Sequence, residues 1–164
     1  MDVKETLDIL KKAEETGLVL QPSNAQKIVN ICCCCSCCCQ VLKNVRRYPR
    51  PAELIASPFS VSADSGTCKG CKLCLERCPM EALSVTEKTV SVDRGRCIGC
   101  GLCVSTCPTG SLSLQRRPDH QQPKVPRNMV ESTIRLGRTR GKLGAAELVK
   151  MQLKSKVDRF LVSR

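Results

Sequence analysis

Aromatic residues are almost absent: the 164 residues include one Tyr, two Phe and no Trp. That is too little bulk for a conventional core of this length, and small domains without one rely on disulfides, metals or partners. No run approaches the ~18 apolar residues of a membrane span. The opening Met1-Asp2-Val3-Lys4-Glu5 lacks the apolar stretch of a secretory leader, so a cytoplasmic, reducing setting is expected. The single histidine, His120, lies between Asp119 and Gln121 in a Pro-containing linker, where a solvated side chain is the simplest reading. There is no Ser-His-Asp arrangement and no Gly-rich phosphate loop. The expectation is therefore not an enzyme in its own right.

What the chain has instead is cysteine: 15 of them, an odd number that forbids complete internal pairing. In a reducing setting this favours metal-bound thiolates over a disulfide scaffold. The formal charge is +12, with 13 Lys/Arg against 4 Asp/Glu in residues 116–164 and only 8 against 7 in residues 1–64. Two tetrathiolate iron–sulfur clusters, each near −2, would bring the total to about +8.

The chain reads as three regions: a helical and Cys-rich segment at 1–63, a repeat at 64–115, and a basic linker and amphipathic helical tail at 116–164. Val3, Leu7 and Leu10 fall at helix spacing over Asp2 to Thr16, and Gly17 is a natural stop. Leu18-Val19-Leu20 is a short strand candidate. In the tail, Ala146, Val149, Leu153, Val157 and Phe160 form an apolar stripe flanked by Lys150, Lys154, Lys156 and Arg159.

The repeat carries the chemistry. Cys68, Cys71, Cys74 and Cys78-Pro79 recur as Cys97, Cys100, Cys103 and Cys107-Pro108, every cysteine offset by 29 residues. Each half reads as ligand loop, short helix, Cys-Pro and strand. Two such halves can pack about a pseudo-two-fold axis, with clusters filling the core. Cys-x2-Cys-x2-Cys-x3-Cys-Pro is the bacterial [4Fe–4S] run, whose fourth cysteine serves the other cluster in two-cluster proteins. Gly70, Gly99 and Gly101 let backbone approach the inorganic sulfides. Zinc is the competing reading, but it calls for two Cys-x2-Cys pairs rather than this arrangement twice.

On these residues the stretch closely resembles two-cluster bacterial ferredoxins. The resemblance implies an α+β, bacterial-ferredoxin-like fold with mostly helical extensions on either side. It also implies that Cys68, Cys71, Cys74 and Cys107 hold one [4Fe–4S] cluster, and that Cys97, Cys100, Cys103 and Cys78 hold the other. A broader likeness rests on Glu14 to Val19, Ile31-Cys32, the cysteine run that follows, Arg50 to Leu54 and Ser57-Pro58-Phe59. These are similar to the C-terminal part of larger iron–sulfur proteins of anaerobes, which carry a Cys-rich element before a two-cluster ferredoxin domain. Cys33 and Ser36 stand where that element has Asn and Gly.

The run from Cys32 to Cys39 leaves alternatives open. Cys32, Cys35 and Cys38 repeat the Cys-x2-Cys-x2-Cys spacing, and Cys39 is an adjacent fourth ligand for a third metal or iron–sulfur site. The run also fits an inert buried turn, a local disulfide switch, or an acylated surface patch beside Arg46 and Arg47.

The leading expectation is electron transfer, as a ferredoxin or as the iron–sulfur subunit of a larger redox enzyme docked through the C-terminal tail. The alternative is an iron–sulfur redox sensor or regulatory protein that uses its basic tail as a contact. The tail offers no aromatics for base stacking apart from Phe160, which argues against nucleic acid.

Overall fold

Asp2 starts the first helix by accepting a hydrogen bond at Oδ1 from the Glu5 N–H at 2.7 Å. This is seen in a computed structural model, which describes residues 2–141 and 144–162. Helix α1 runs over Val3–Glu15, and Gly17 ends it in the left-handed conformation, at φ 86°. Strand β1 (Val19–Pro22) follows and pairs antiparallel with β2 (Ile31–Cys34). Next come helix α2 (Gln40–Arg46), a single 3₁₀ turn over Pro51–Glu53, and β3 (Phe59–Ala63).

Within the repeat the order is α3 (Leu73–Arg77), β4 (Leu83–Thr86), β5 (Thr89–Val92), α4 (Leu102–Thr106) and β6 (Leu112–Arg116). The helix and strand expected after each ligand loop are present in both copies. Strands β3 and β5, which precede the loops, were not anticipated. β3 pairs antiparallel with β6 and β4 with β5, so each pair takes one strand from each copy. The pairings are equivalent: Ala63↔Leu112 and Val61↔Leu114 correspond, at the 29-residue offset, to Val92↔Leu83 and Val90↔Val85.

The backbone repeats with the same offset. Gly70 and Gly99, Lys72 and Gly101, and Glu81 and Gly110 all have positive φ. Asp64 and Asp93 each accept the N–H two residues on, from Gly66 at 2.9 Å and Gly95 at 2.8 Å. Their own N–H groups bond the carbonyls of Ser111 and Ala82, both at 2.8 Å. Glu87 and Lys88 form the two-residue turn between β4 and β5, both with positive φ as a type I′ hairpin needs.

The chain forms two compact units. The first, residues 1–23 and 29–125, holds the core: Leu42, Met80 and Leu102 are its largest fully buried side chains together with Pro51. The second, residues 24–28 and 126–164, contains α5 (Met129–Thr139) and α6 (Ala145–Val162). Of the expected apolar stripe on α6, Val149 and Leu153 are exposed. The side chains of Val157, Phe160, Lys156 and Arg159 lie outside the described residues.

Arg77 ties the N-terminal helix to the repeat. Its Nη2 donates to the carbonyls of Glu14 at 3.1 Å and Glu15 at 2.7 Å, at the open end of α1. Its Nε donates to Thr106 Oγ1 at 3.1 Å, and Thr106 is the residue equivalent to Arg77 in the other copy. We predict that Arg77→Ala loosens α1 by about 1–3 kcal/mol, the range for hydrogen bonds from a charged donor. Amide exchange should accelerate in α1 while β3 and β6 keep their protection; equal loss in both regions would contradict this role.

Candidate iron–sulfur centres

Two recesses lie between the copies of the repeat. One is lined by Cys68, Cys71, Cys74 and Cys107, together with Lys69, Lys72, Val85, Val90 and Ser111. The other is lined by Cys78, Cys97, Cys100 and Cys103, with Val61, Met80 and Ile98. Each therefore brings together three thiols of one copy and the fourth of the other. The crossing follows from the strand exchange, because β6 leads away from Cys107 beside β3, while β4 leads away from Cys78 beside β5. The recesses enclose about 310 Å³ and 320 Å³, counting their open mouths.

The loops between the cysteines are built for close approach. A Cβ on Gly70 would lie 2.8 Å from Lys88 Cα. A Cβ on Gly99 would collide with the Phe59 carbonyl oxygen and lie 2.9 Å from its carbon and from Ser57 Oγ. Lys88 and Phe59 are again 29 residues apart, so both glycines meet the matching position of the opposite copy.

Two thiols of the second recess, Cys100 and Cys103, resist ionisation. Burial, and the approach of the other sulfurs, push Cys103 up to about 12. Burial does the same to Cys100, at about 11. Cys74 in the first recess also shifts up, chiefly through burial. Four thiolates converging in so small a space need a cation to neutralise them, and a coordinating thiol is deprotonated outright. Cys107 differs. Burial raises it, but hydrogen bonds from the hydroxyls and backbone N–H groups of Ser111 and Thr109 outweigh that and bring it down to about 6. Its sulfur lies 3.2 Å from Ser111 Oγ, and Ser111 is the only buried polar residue among those described. In the other copy Ala82 occupies that position and offers Cys78 only its N–H, at 3.3 Å.

A family model described as a 4Fe-4S dicluster domain matches residues 60–124. Residues 60–124 form an iron–sulfur, ferredoxin-like domain. The match supports iron–sulfur electron transfer in general terms and begins within β3, the strand that sequence reasoning missed. No curated protein matches the chain. The four-thiol recesses fit the cofactor that the family description names.

The two halves of this ferredoxin-like domain are not equally covered. From Cys68 to Leu73 no residue is buried, and Lys69, Cys71, Lys72 and Leu73 are exposed. From Cys97 to Cys103 every residue but Cys100 is buried. The cover comes from the segment before the domain. The Ala52 N–H donates to the Gly95 carbonyl at 3.0 Å, and Arg96 Nε donates to the Met80 carbonyl at 2.8 Å. Arg96 Nη2 reaches the Arg46 carbonyl at the end of α2, at 3.3 Å. Sequence spacing alone makes the halves look equivalent; the replacement of Lys69 and Lys72 by Ile98 and Gly101 was the signal that they are not.

The set Cys32, Cys35, Cys38 and Cys39 is not brought together as four. Pairing with β1 extends residues 31–34, which carries Cys32 opposite Gln21 and roughly 10 Å along the chain from Cys35 at strand rise. Cys39 stands at the N-cap of α2. Burial pushes Cys34 up to about 11, while the backbone N–H of Leu42 lowers Cys39. The sulfurs that do converge are those of Cys35, Cys37 and Cys38. The run is not a buried turn, since Cys32, Cys33, Cys37 and Cys38 are exposed. His120 is exposed beside Gln121 in a 3₁₀ turn over Asp119–Gln121.

We predict that Gly99→Ala impairs cluster retention far more than Gly101→Ala. The added methyl at 99 meets backbone, whereas at 101 it meets only Leu114 Cδ2, at 3.7 Å. Lys72 already adopts the left-handed conformation at the position equivalent to Gly101. Iron content after gel filtration of anaerobically prepared protein measures the difference; equal loss in both variants would refute the close-approach argument.

Proposed function

We propose that the chain is an electron carrier with two [4Fe–4S] clusters, one in each four-thiol recess, arranged as a pseudo-two-fold module. The observation that carries this reading is the crossing of Cys78 and Cys107, which gives each recess one ligand from the opposite copy. When bound, each cluster takes up and gives back one electron. The protein holds both in a fixed relation, because the helix that follows one ligand loop ends on the cysteine that serves the other.

Iron and acid-labile sulfide on protein prepared without oxygen should be about eight of each per chain. Cys107→Ala should disturb the cluster bound by Cys68, Cys71 and Cys74, and Cys78→Ala the one bound by Cys97, Cys100 and Cys103. Paramagnetic resonance of the reduced variants distinguishes the two. About four irons in the wild type, or zinc in place of iron, would defeat the assignment.

The uneven cover gives the carrier a direction of access. Electrons enter and leave through the exposed Cys68–Cys74 loop, and the Cys97–Cys103 centre is the inner one. Hydrogen bonds to ligand sulfur and nearby positive charge favour the reduced, more negative cluster, so Ser111, Thr109, Lys69 and Lys72 stabilise an electron at the outer site. Exposed Lys69, Lys72 and Lys88 lie around that loop, with Glu76 and Glu87 the acidic residues on its flanks. The fitting partner is a larger redox protein with an acidic face around its own centre. The exposed Val149, Leu153, Lys150 and Lys154 of α6 supply a separate docking element.

Hexacyanoferrate(III), an anionic oxidant, tests the access route without a known partner. Reversing Lys69, Lys72 and Lys88 to Glu should slow oxidation of the reduced protein about 10-fold at low ionic strength, with the difference fading in high salt. Equal rates for the wild type and the triple reversal would exclude the outer loop as the exchange surface.

A further inference from the structure

The turn between β2 and α2 is used by neither recess. It runs Cys35-Ser36-Cys37-Cys38 and is closed by the Cys39 N–H donating to the Cys35 carbonyl at 3.2 Å. The sulfurs of Cys35, Cys37 and Cys38 all lie within 4.8 Å of one another. Cys38 Sγ is 2.9 Å from Cys35 Sγ, and Cys35 and Cys37 are joined as a disulfide.

We propose that the reduced turn is a binding site for a single thiophilic divalent cation of the zinc class, held by Cys35, Cys37 and Cys38 with water in the fourth position. The size of the triad decides between the two kinds of thiolate centre. Thiolates on one zinc, at about 2.3 Å each, stand roughly 3.8 Å apart at the corners of a tetrahedron. In a cubane each thiolate binds a different iron, so its sulfurs are spread by the width of the cluster. In the disulfide-closed turn the three sulfurs already lie within 4.8 Å of one another, so opening the bond needs only a small spread to seat one ion and a much larger one to span a cubane. Sulfur ligands select zinc over the oxygen-loving magnesium and calcium.

The site needs both disulfide sulfurs free. Two electrons from a phosphine, which leaves as its oxide, and two protons from the water that supplies that oxygen convert the Cys35–Cys37 bond into two thiols. Zinc then displaces the thiol protons as it binds, so binding is accompanied by proton release. The exposure of Cys37 and Cys38 gives the ion a direct path from solvent.

The test uses the full, cluster-loaded chain, reduced with a phosphine without oxygen and dialysed against zinc. The wild type should retain one zinc per chain that the triple variant Cys35→Ser, Cys37→Ser, Cys38→Ser does not, with iron the same in both. Cobalt(II) in place of zinc should give a thiolate charge-transfer band in the wild type alone. Zinc binding that survives in the triple variant would overturn the site. So would iron that is about four atoms higher in the wild type than in the variant, because a third cluster would then occupy the run. The proposal is independent of the two-cluster reading, which the iron retained by the triple variant reports separately.

Discussion

Antiparallel pairing between the two copies of the repeat, β3 with β6 and β4 with β5, is the constraint on which the rest of the first unit depends. Because side chains alternate along a strand, a slip of one residue would turn Val61 and Val90 out of the core. The same pairing decides which cysteine reaches which recess. Cys78 and Cys107 end their helices and their strands begin five residues later, so the partner of each strand fixes the neighbours of each thiol. The glycines act at the same contacts, with Gly70 against Lys88 and Gly99 against Phe59. Ligand geometry and sheet register are therefore one specification, and a substitution that breaks either one breaks the other.

Much of this was legible because it is written in local spacing. An interval of 29 residues, a Cys-Pro after each short helix and glycines inside the loops can all be read along the chain without knowing what packs where. The first helix was legible for the same reason, since its periodicity and the stop at Gly17 are local. β3 and β5 escaped because Phe59-Ser60-Val61-Ser62-Ala63 and Thr89-Val90-Ser91-Val92 are too short to stand out and owe their form to partners elsewhere in the chain.

In the cysteine run the structure brings together Cys35, Cys37 and Cys38 rather than the expected Cys32, Cys35, Cys38 and Cys39, for a related reason. Its spacing matches the ligand loops, but Val19 and Leu20 pair with Cys34 and Cys33 and pull the first half of the run straight. A strand rise of about 3.3 Å per residue carries Cys32 away from the turn, and only the second half can fold back on itself. Spacing specifies a ligand set only where the intervening backbone is free to curl. At Cys68–Cys74 and Cys97–Cys103 it is, with left-handed residues at Gly70, Lys72, Gly99 and Gly101. From Cys32 to Cys34 it is committed to a sheet.

The asymmetry between the halves has two sources, cover and sequence. Duplication makes the copies alike in outline, and residues 46–59 then add cover beside the second ligand loop. Pro51 is fully buried, Ala52 bonds Gly95, and Arg96 bridges Met80 and the end of α2. On the uncovered side the loop keeps lysines where the covered side has Ile98 and Gly101. Burial disfavours added negative charge, and nearby cations and hydroxyls favour it. On the two-cluster reading proposed above, cover, charge and the Ser111 hydrogen bond therefore act in the same direction, and all three favour an electron at the outer recess over the inner one. A symmetric pair would offer no preference, so cover and sequence difference together are what would give this ferredoxin-like domain an inside and an outside.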